Sequence, residues 1–305
     1  MDQSVSAAPK KKIGDPIEDK ILFASVNVLL VLFTLAVAYP LIYVLSSSFS
    51  SPGDVAAGRI VLWPVNLSTA GYRAVFGHRS IVRGYTNTIF YTTAGTMINL
   101  IVTFACAYPM SRRDFPFRKP VMMFFTFTMF FSGGLIPTYI LMTQIRFVNT
   151  VWAMIIPGAL NVYNMILVRT FLMSSIPSEL LESAMIDGCS DARYFFKIVL
   201  PLSKAVIAVM TLFYAVDHWN AYFGAMIYLN NPSLHPLQII LRNILIANQI
   251  SLTEIQDAES IASKQGMADL LKHSLIVVST APILMLYPFA QKYFIKGIMI
   301  GSIKG

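Results

Sequence analysis

Five long stretches of this chain contain no Asp, Glu, Lys or Arg: residues 21–53, 84–111, 120–145, 147–168 and 273–291. A sixth, 205–229, is apolar apart from Asp217 and its neighbour His218. A helix that crosses the roughly 30 Å hydrocarbon core of a bilayer needs about 20 consecutive apolar residues. All six stretches reach that length, and irregular backbone cannot face lipid, so the expected spans are helices. They are placed near 21–45, 86–110, 120–143, 150–172, 205–229 and 271–291. Only 12% of the 305 residues are charged and 56% are hydrophobic. A soluble domain carries about 25% charged residues, so this chain lacks the polar skin of a soluble enzyme. The expected fold is all-α and polytopic, with six transmembrane helices. Pro40, Pro137, Pro157 and Pro282 fall inside spans, and kinks are expected there.

The charges lie between the apolar runs. Net charge is +8, but nucleic-acid binding needs basic residues gathered on one face, so no nucleic-acid partner is expected. Topology explains them better. Lys10, Lys11, Lys12 and Lys20 precede the first span, and Arg112, Arg113, Arg118 and Lys119 fill the short 110–119 connection. Lys292, Lys296 and Lys304 follow the last span. The positive-inside rule then puts both termini in the cytoplasm of a cell-membrane protein. Arg59, Arg73, Arg79 and Arg83 fall outside, in or beside a longer loop. The division is a cytoplasmic tail 1–20, a first helix 21–45, an outer loop 46–82, a core 83–291 and a cytoplasmic tail 292–305. A signal-peptide core is about 7–15 residues long, shorter than the first run, which reads as a retained anchor. Cys106 sits in an apolar run and Cys189 in a charged loop, so no disulfide is expected. No Cys or His cluster has metal-site spacing, His78, His235 and His273 are scattered, and neither metal nor cofactor is expected.

Two inter-span loops are long. The outer one, 230–270, carries Glu254, Asp257, Glu259 and Asp269. The inner one, 173–203, has the most informative pattern in the chain. Pro177 suits a helix's first turn. Leu181, Ala184 and Met185 form a short apolar stripe at helical spacing. Gly188, after Asp187, suits a left-handed C-cap, and Ser190 can N-cap a following helix. Pro201 marks the return to the membrane. Two short helices meeting at a glycine elbow are predicted. A helix with an apolar face flanked by acids suits a groove on another protein.

The spacing Glu182-x-Ala184-x-x-x-Gly188, nine residues, Ile198-x-Leu200-Pro201 resembles the coupling motif of bacterial ABC-importer permeases. The family pattern is Glu-Ala-Ala, three residues, Gly, nine residues, Ile-x-Leu-Pro; Ser183 departs from it as one small residue for another. Residues from about 83 to 291 resemble the type-1 permease core. Trp219-Asn220 and the C-terminal stretch 287–305 resemble the carbohydrate, maltose-transporter-like branch. The resemblance implies a type-1 permease fold and uptake of an oligosaccharide or polysaccharide fragment. It further implies a second, non-identical permease, a dimer of cytoplasmic ATPases docked on the elbows, and an extracellular solute-binding protein. Glu182 is expected to face the ATPase. None of the glycines is followed by Lys, so the chain lacks the Gly-Lys pair of a Walker A loop and is not expected to be the enzyme that hydrolyses ATP.

Within the spans, Asp217 is an acid at depth, which defaults to a functional site. His218 beside it reads as a packing residue. Trp219, Asn220 and Tyr222 in span five, and Asn161, Tyr163 and Asn164 in span four, are candidates for a sugar pathway. Rings stack on sugar C–H faces and amides meet hydroxyls; helix packing is the competing reading for each. Lys296 and Lys304 suit either a plain basic flank or an ATPase contact. Two other functions compete. An ion-coupled secondary transporter would use inverted repeats and an intramembrane acid, for which Asp217 is the sole candidate. A membrane enzyme would need convergent nucleophile, base or metal groups, which the spans do not offer.

Overall fold

The first charge-free run forms one uninterrupted helix, α1 (Ile17–Ser48), and it buries only its last turn, Ser46, Ser47 and Ser48. A helix that is apolar all round and bare within its own chain is suited to lipid or to a second membrane subunit. The computed structural model describes residues 17–253 and 258–302. The Lys10–Lys12 run, Glu254, Asp257 and Lys304 lie outside the described residues.

The outer segment after α1 is built, not open. It holds α2 (Pro52–Ala56) and α3 (Ala70–Gly77). The Ser46 hydroxyl donates to the Leu62 carbonyl at 2.6 Å, and the Ser68 N–H donates to the Phe49 carbonyl at 2.8 Å. α4 (Arg79–Ser111) begins seven residues before the expected start at 86. It is the scaffold, packing against five later α-helices among the described residues. α5 (Arg118–Phe130) and α6 (Leu135–Gln144) follow, bent by 112° to each other. Then come α7 (Trp152–Ile155) and α8 (Val162–Ser175). The inner loop contains α9 (Ser178–Ile186), α10 (Asp191–Tyr194), a π turn over Phe195–Val199 and α11 (Leu200–Leu202). α12 (Lys204–Asn220) leaves this segment at 79°. α13 (Phe223–Tyr228) follows, then a 3-10 turn at Pro232–Leu234, α14 (Leu237–Thr253) and the 45-residue α15 (Ala258–Ser302).

The chain is thus helical, with no strand among the described residues, but its six apolar runs do not form six unbroken helices. Among the described residues three helical stretches are long and apolar enough to cross a bilayer: α1, α4 and Gln265–Met285 within α15. Counting each bent pair as one span raises that to five. The stretch expected near 150–172 is split between α7 and α8 by six residues outside helix. The outer loop expected over 230–270 is instead mostly helix, α14 and the start of α15. Its Leu237, Ile239, Ile240 and Leu241 join the outer core with Tyr91, Trp219 and Leu275. That apolar run packs on α4 rather than spanning.

The prolines behave unlike one another. Helix continues through Pro40 and Pro282. Pro282 removes the N–H that Val278 would have received, and the Tyr85 hydroxyl of α4 donates to that freed carbonyl. Pro157 does lie in a break. In span three the break precedes Pro137 and falls at Gly133-Gly134, where Gly134 adopts a φ of 82°, open to glycine without strain.

Candidate functional site: an inner elbow and a level of broken helices

The elbow forms by local capping. α9 starts after Pro177, which takes the N-cap position rather than a place inside the first turn. At the other end the Cys189 N–H donates to the Ala184 carbonyl at 2.9 Å and the Gly188 N–H to the Met185 carbonyl at 3.0 Å. This Schellman closure needs a left-handed residue, and Gly188 supplies it with a φ of 70°. The Ser190 hydroxyl then caps α10, accepting from the Arg193 N–H at 3.4 Å.

The expected apolar stripe divides between two faces. Ala184 is buried and Leu181 half-buried against Phe104, Met165, Leu172, Val206 and Met210, which come from α4, α8 and α12. Ile198, Leu200 and Cys189 pack on the same inner core. Met185 and Ile186 point the other way and are 50% and 87% exposed. Glu179, Glu182, Asp187, Gly188 and Pro201 are exposed beside them. Ser183 also faces out, with its hydroxyl donating to the Glu179 carbonyl, so the departure from alanine costs no space.

Arg112 ties this elbow to α4. Its Nη1 donates to Asp191 Oδ1 and to the Tyr108 hydroxyl, each at 2.9 Å, and its Nε and Nη2 fork onto Asp114 at 2.8 and 2.6 Å. The Arg112 bonds hold the Asp114 carboxyl below its ordinary range. The sequence marks Arg112 only as a topology charge. Its strap role needs Asp191, a remote residue, and no local pattern announces it.

The second feature lies deeper. Spans three, four and five break at 131–134, 156–161 and 221–222. The unbroken inner pieces α5, α8 and α12 have 13, 14 and 17 residues, or about 20, 21 and 26 Å at the helical rise. Each break thus follows a helical piece of broadly similar length. Side chains of α4 tie the second break to the end of α12. The Asn99 amide donates to the Gly158 carbonyl in the second break, and Asn99 Oδ1 accepts from His218 Nε2 at 2.7 Å. A Cβ at Gly95 would fall on the His218 ring, so glycine is what lets α12 approach α4. The packing reading of His218 agrees with this placement.

The pathway candidates separate at this level. Asp217, Asn220 and Tyr222 at the outer end of α12, and Asn161 and Tyr163 at the start of α8, are exposed. Asn161 also caps α8, accepting from the Asn164 N–H at 3.1 Å. Trp219 and Asn164 do not belong with them. Each is 5% exposed, and the Trp219 indole donates to the Ser279 carbonyl at 2.9 Å, one turn from Pro282. Trp219 is a core residue, and its one polar atom is spent on a perturbed helix. The sequence reading missed Tyr85, Asn87, Thr88, Tyr91, Asn99 and Thr103. Asn87 and Tyr91 donate to carbonyls of the 233–235 turn, Thr88 accepts from the Leu237 N–H, and Thr103 bonds the Tyr214 hydroxyl. Their signal was a run of polar residues inside a charge-free span.

A subunit that is helical among its described residues, with a capped elbow and broken apolar runs, suits a transporter permease, and the chain belongs to the family of sugar ABC-importer permeases. It is 40% identical over 276 residues to the polygalacturonan/rhamnogalacturonan transport system permease protein YtcP of Bacillus subtilis (strain 168), covering 90% of this chain and 96% of that one. It is 27% identical over 270 residues to the melibiose/raffinose/stachyose import permease protein MelC of the same organism, covering 87% of this chain and 91% of the relative. Among solved structures it matches a bacterial ABC transporter involved in import of the acidic polysaccharide alginate. There the TM-score is 0.83 and identity 31%, with 92% of this chain and 99% of that chain covered. No protein-family model matches. The relatives are permease subunits, not themselves enzymes, and family and helices together make this a multi-pass inner-membrane protein. The ion-coupled alternative finds no support among them.

Proposed function

We propose that this chain forms one half of a saccharide pathway driven by ATP that a partner hydrolyses, and that it takes up the stroke through its elbow. The observation that carries this is the two-sidedness of 178–201. One side is cemented to α4, α8 and α12. The other offers Met185, Ile186 and exposed Glu179 and Glu182, and none of the ion pairs among the described residues involves them. An unpartnered apolar and acidic face on a rigid mount is suited to a groove in an ATPase. Glu182 and Asp187 order the docked surface, Ala184 keeps α9 close to the core, and Gly188 sets the turn. Ile198, Leu200 and Pro201 fix the return into α12. Force on α9 then moves α8 and α12 as a body.

The cargo is an oligosaccharide or polysaccharide fragment, in keeping with the relatives' substrates. It passes at the level of the three breaks, beside Asn161, Tyr163, Asp217, Asn220 and Tyr222. Non-helical backbone at membrane depth is tolerated where it is buried in protein or lines a watery cavity. An acid such as Asp217 facing lipid would cost about 3 kcal/mol. A second, non-identical permease closes the pathway, an extracellular solute-binding protein delivers cargo, and both termini are cytoplasmic.

Glu182→Lys is expected to reduce recovery of the ATPase with the purified permease at least tenfold while Ser183→Ala leaves it unchanged. Equal recovery from both variants, with normal uptake, rejects the docking role. Asp217→Ala is expected to alter saccharide uptake while ATPase recovery stays intact. Orientation is checked by labelling: Phe115→Cys from the cytoplasmic side only, Trp63→Cys from outside only.

A further inference from the structure

The inner ends of α5 and α8 enclose a groove of about 650 Å3 lined by Arg118, Lys119, Met122, Met123, Thr126, Phe127, Phe130 and Arg169. Its polarity runs one way. Two cations open α5 and a third, Arg169, stands opposite on α8. Beyond them the lining is methionine and phenylalanine. The one hydroxyl, that of Thr126, is committed to the Met122 carbonyl of its own helix at 2.9 Å. Arg169 is positioned through Nε, which donates to the Met110 carbonyl at the end of α4 at 2.9 Å. No carboxylate lines the groove, and none of the three cations joins an ion pair among the described residues.

A sugar chain needs hydrogen-bonding partners along its whole length, and this groove has them only at its mouth. A molecule with one anionic head and a long apolar tail matches both halves. We propose that the groove is a binding site for an anionic phospholipid of the cytoplasmic leaflet, its phosphate held by Arg118, Lys119 and Arg169 and an acyl chain laid along Met123, Phe127 and Phe130. Basic pockets between helices on the cytoplasmic side suit such head groups. α5 buries none of its residues within the chain, so a bound lipid would brace the helix that leads into the first break. The inference rests on the reading that puts the 110–119 connection in the cytoplasm.

The test uses the complete assembly with its ATPase and partner permease, purified in mild detergent and examined by native mass spectrometry. Phosphatidylglycerol and phosphatidylcholine of matched acyl chains are the probes. The assembly is expected to retain phosphatidylglycerol under conditions that strip phosphatidylcholine. Arg118→Gln with Lys119→Gln should weaken that retention about 30-fold, at ~1 kcal/mol for each cation near the surface. Arg113→Gln, outside the groove, should leave it unchanged, and ATPase recovery with each variant reports folding. A dihexanoyl phosphatidylglycerol or inorganic phosphate should bind far more weakly than the long-chain lipid. Equal retention by the double variant overturns the proposal. So does displacement of the lipid by a soluble uronate oligosaccharide, which would assign the groove to cargo, or failure of the unaltered assembly to hold either lipid, as when the partner permease covers the groove. Loss of ATP-driven uptake in the unaltered assembly would strike the permease reading alone, since lipid retention is read without transport.

Discussion

The elbow turns the chain on a left-handed glycine, Gly188 at a φ of 70°, and the second break turns it at Pro157-Gly158, yet the two are held in different ways. Around Gly188 each bond of the turn runs between residues within six positions of one another. The second break depends on α4. Asn99 reaches 59 residues along the chain to Gly158 and 119 to His218, and elsewhere on α4 Tyr85 reaches 193 to Val278 of α15. A locally written turn can serve as a docking surface that forms before any partner arrives. A turn written by remote contacts shifts when the helices that supply those contacts shift. The proposed pathway needs that property wherever it opens and closes as a gate.

The largest expected effect tests the remote contacts. Asn99→Leu leaves the Gly158 carbonyl and the His218 ring nitrogen without partners. Gly158 is exposed and His218 half-buried, so each lost hydrogen bond costs about 1 kcal/mol. Thermal unfolding of the purified permease should show the loss, while Thr93→Val, whose hydroxyl serves only its own exposed helix face, should show almost none. A loss for Asn99→Leu no larger than that control would mean that the second break supports itself.

A smaller effect separates the two glycines. No atom lies within 4 Å of a Cβ built on Gly188 or on Gly134, so a substitution there meets backbone strain alone: about 1–2 kcal/mol at the left-handed Gly188, and about 1–3 kcal/mol at Gly134, whose φ of 82° and ψ of −179° are open essentially to glycine alone. Gly188→Val should lower ATPase recovery and uptake together. Gly134→Val should spare ATPase recovery and lower uptake. If the two variants cannot be told apart by these assays, the division between elbow and gate is wrong.

The same contrast explains what could be read without coordinates. The elbow was legible nearly residue by residue, because Ser190, Gly188 and the 181/184 spacing act over one or two turns. What the spacing could not say is that Met185 leaves the stripe that Leu181 and Ala184 keep; that follows from where α8 and α12 lie. The charge-free runs located the apolar helices, but not their interruptions. Pro157 and Pro282 look alike in sequence. At 282 a tyrosine from α4 takes the freed carbonyl and the helix continues; at 157 a glycine follows and the chain departs from helix. The 237–241 run fell inside the expected outer loop 230–270, because its placement on α4 depends on Thr88 and Asn87.

Tyr85 allows that explanation to be measured. Tyr85→Phe removes the donor to the Val278 carbonyl and is expected to cost about 1 kcal/mol, the net value of one hydrogen bond. In a Pro282→Ala background the restored backbone N–H can take that carbonyl, so the same change should cost measurably less. A double-mutant cycle reports the coupling. Equal costs in both backgrounds would show that the tyrosine is not what carries the helix past the proline.

The smallest effect concerns the built outer segment, which shares the elbow's local style of capping. Asp54 is buried at the start of α2. The Ser51 hydroxyl donates to its Oδ2 at 2.6 Å, the Asn66 amide to the same oxygen at 2.8 Å, and Arg59 to Oδ1 at 3.3 Å. Those bonds, Ser51 first and Asn66 second, hold the carboxyl below its ordinary value against the opposing effect of burial. Because the folded pKa lies below the unfolded one, the contribution is complete above about pH 4–5 and disappears as pH falls through the folded value. Hydrogen exchange over residues 50–68 should be indifferent to pH between 7 and 5 and rise only in stronger acid. In Asp54→Asn that acid-dependent rise should vanish. Arg59→Gln should matter little, since the arginine side chain is 70% exposed and its pair with Asp54 is screened. Loosening that begins near pH 6 would remove Asp54 from the account of what holds this segment.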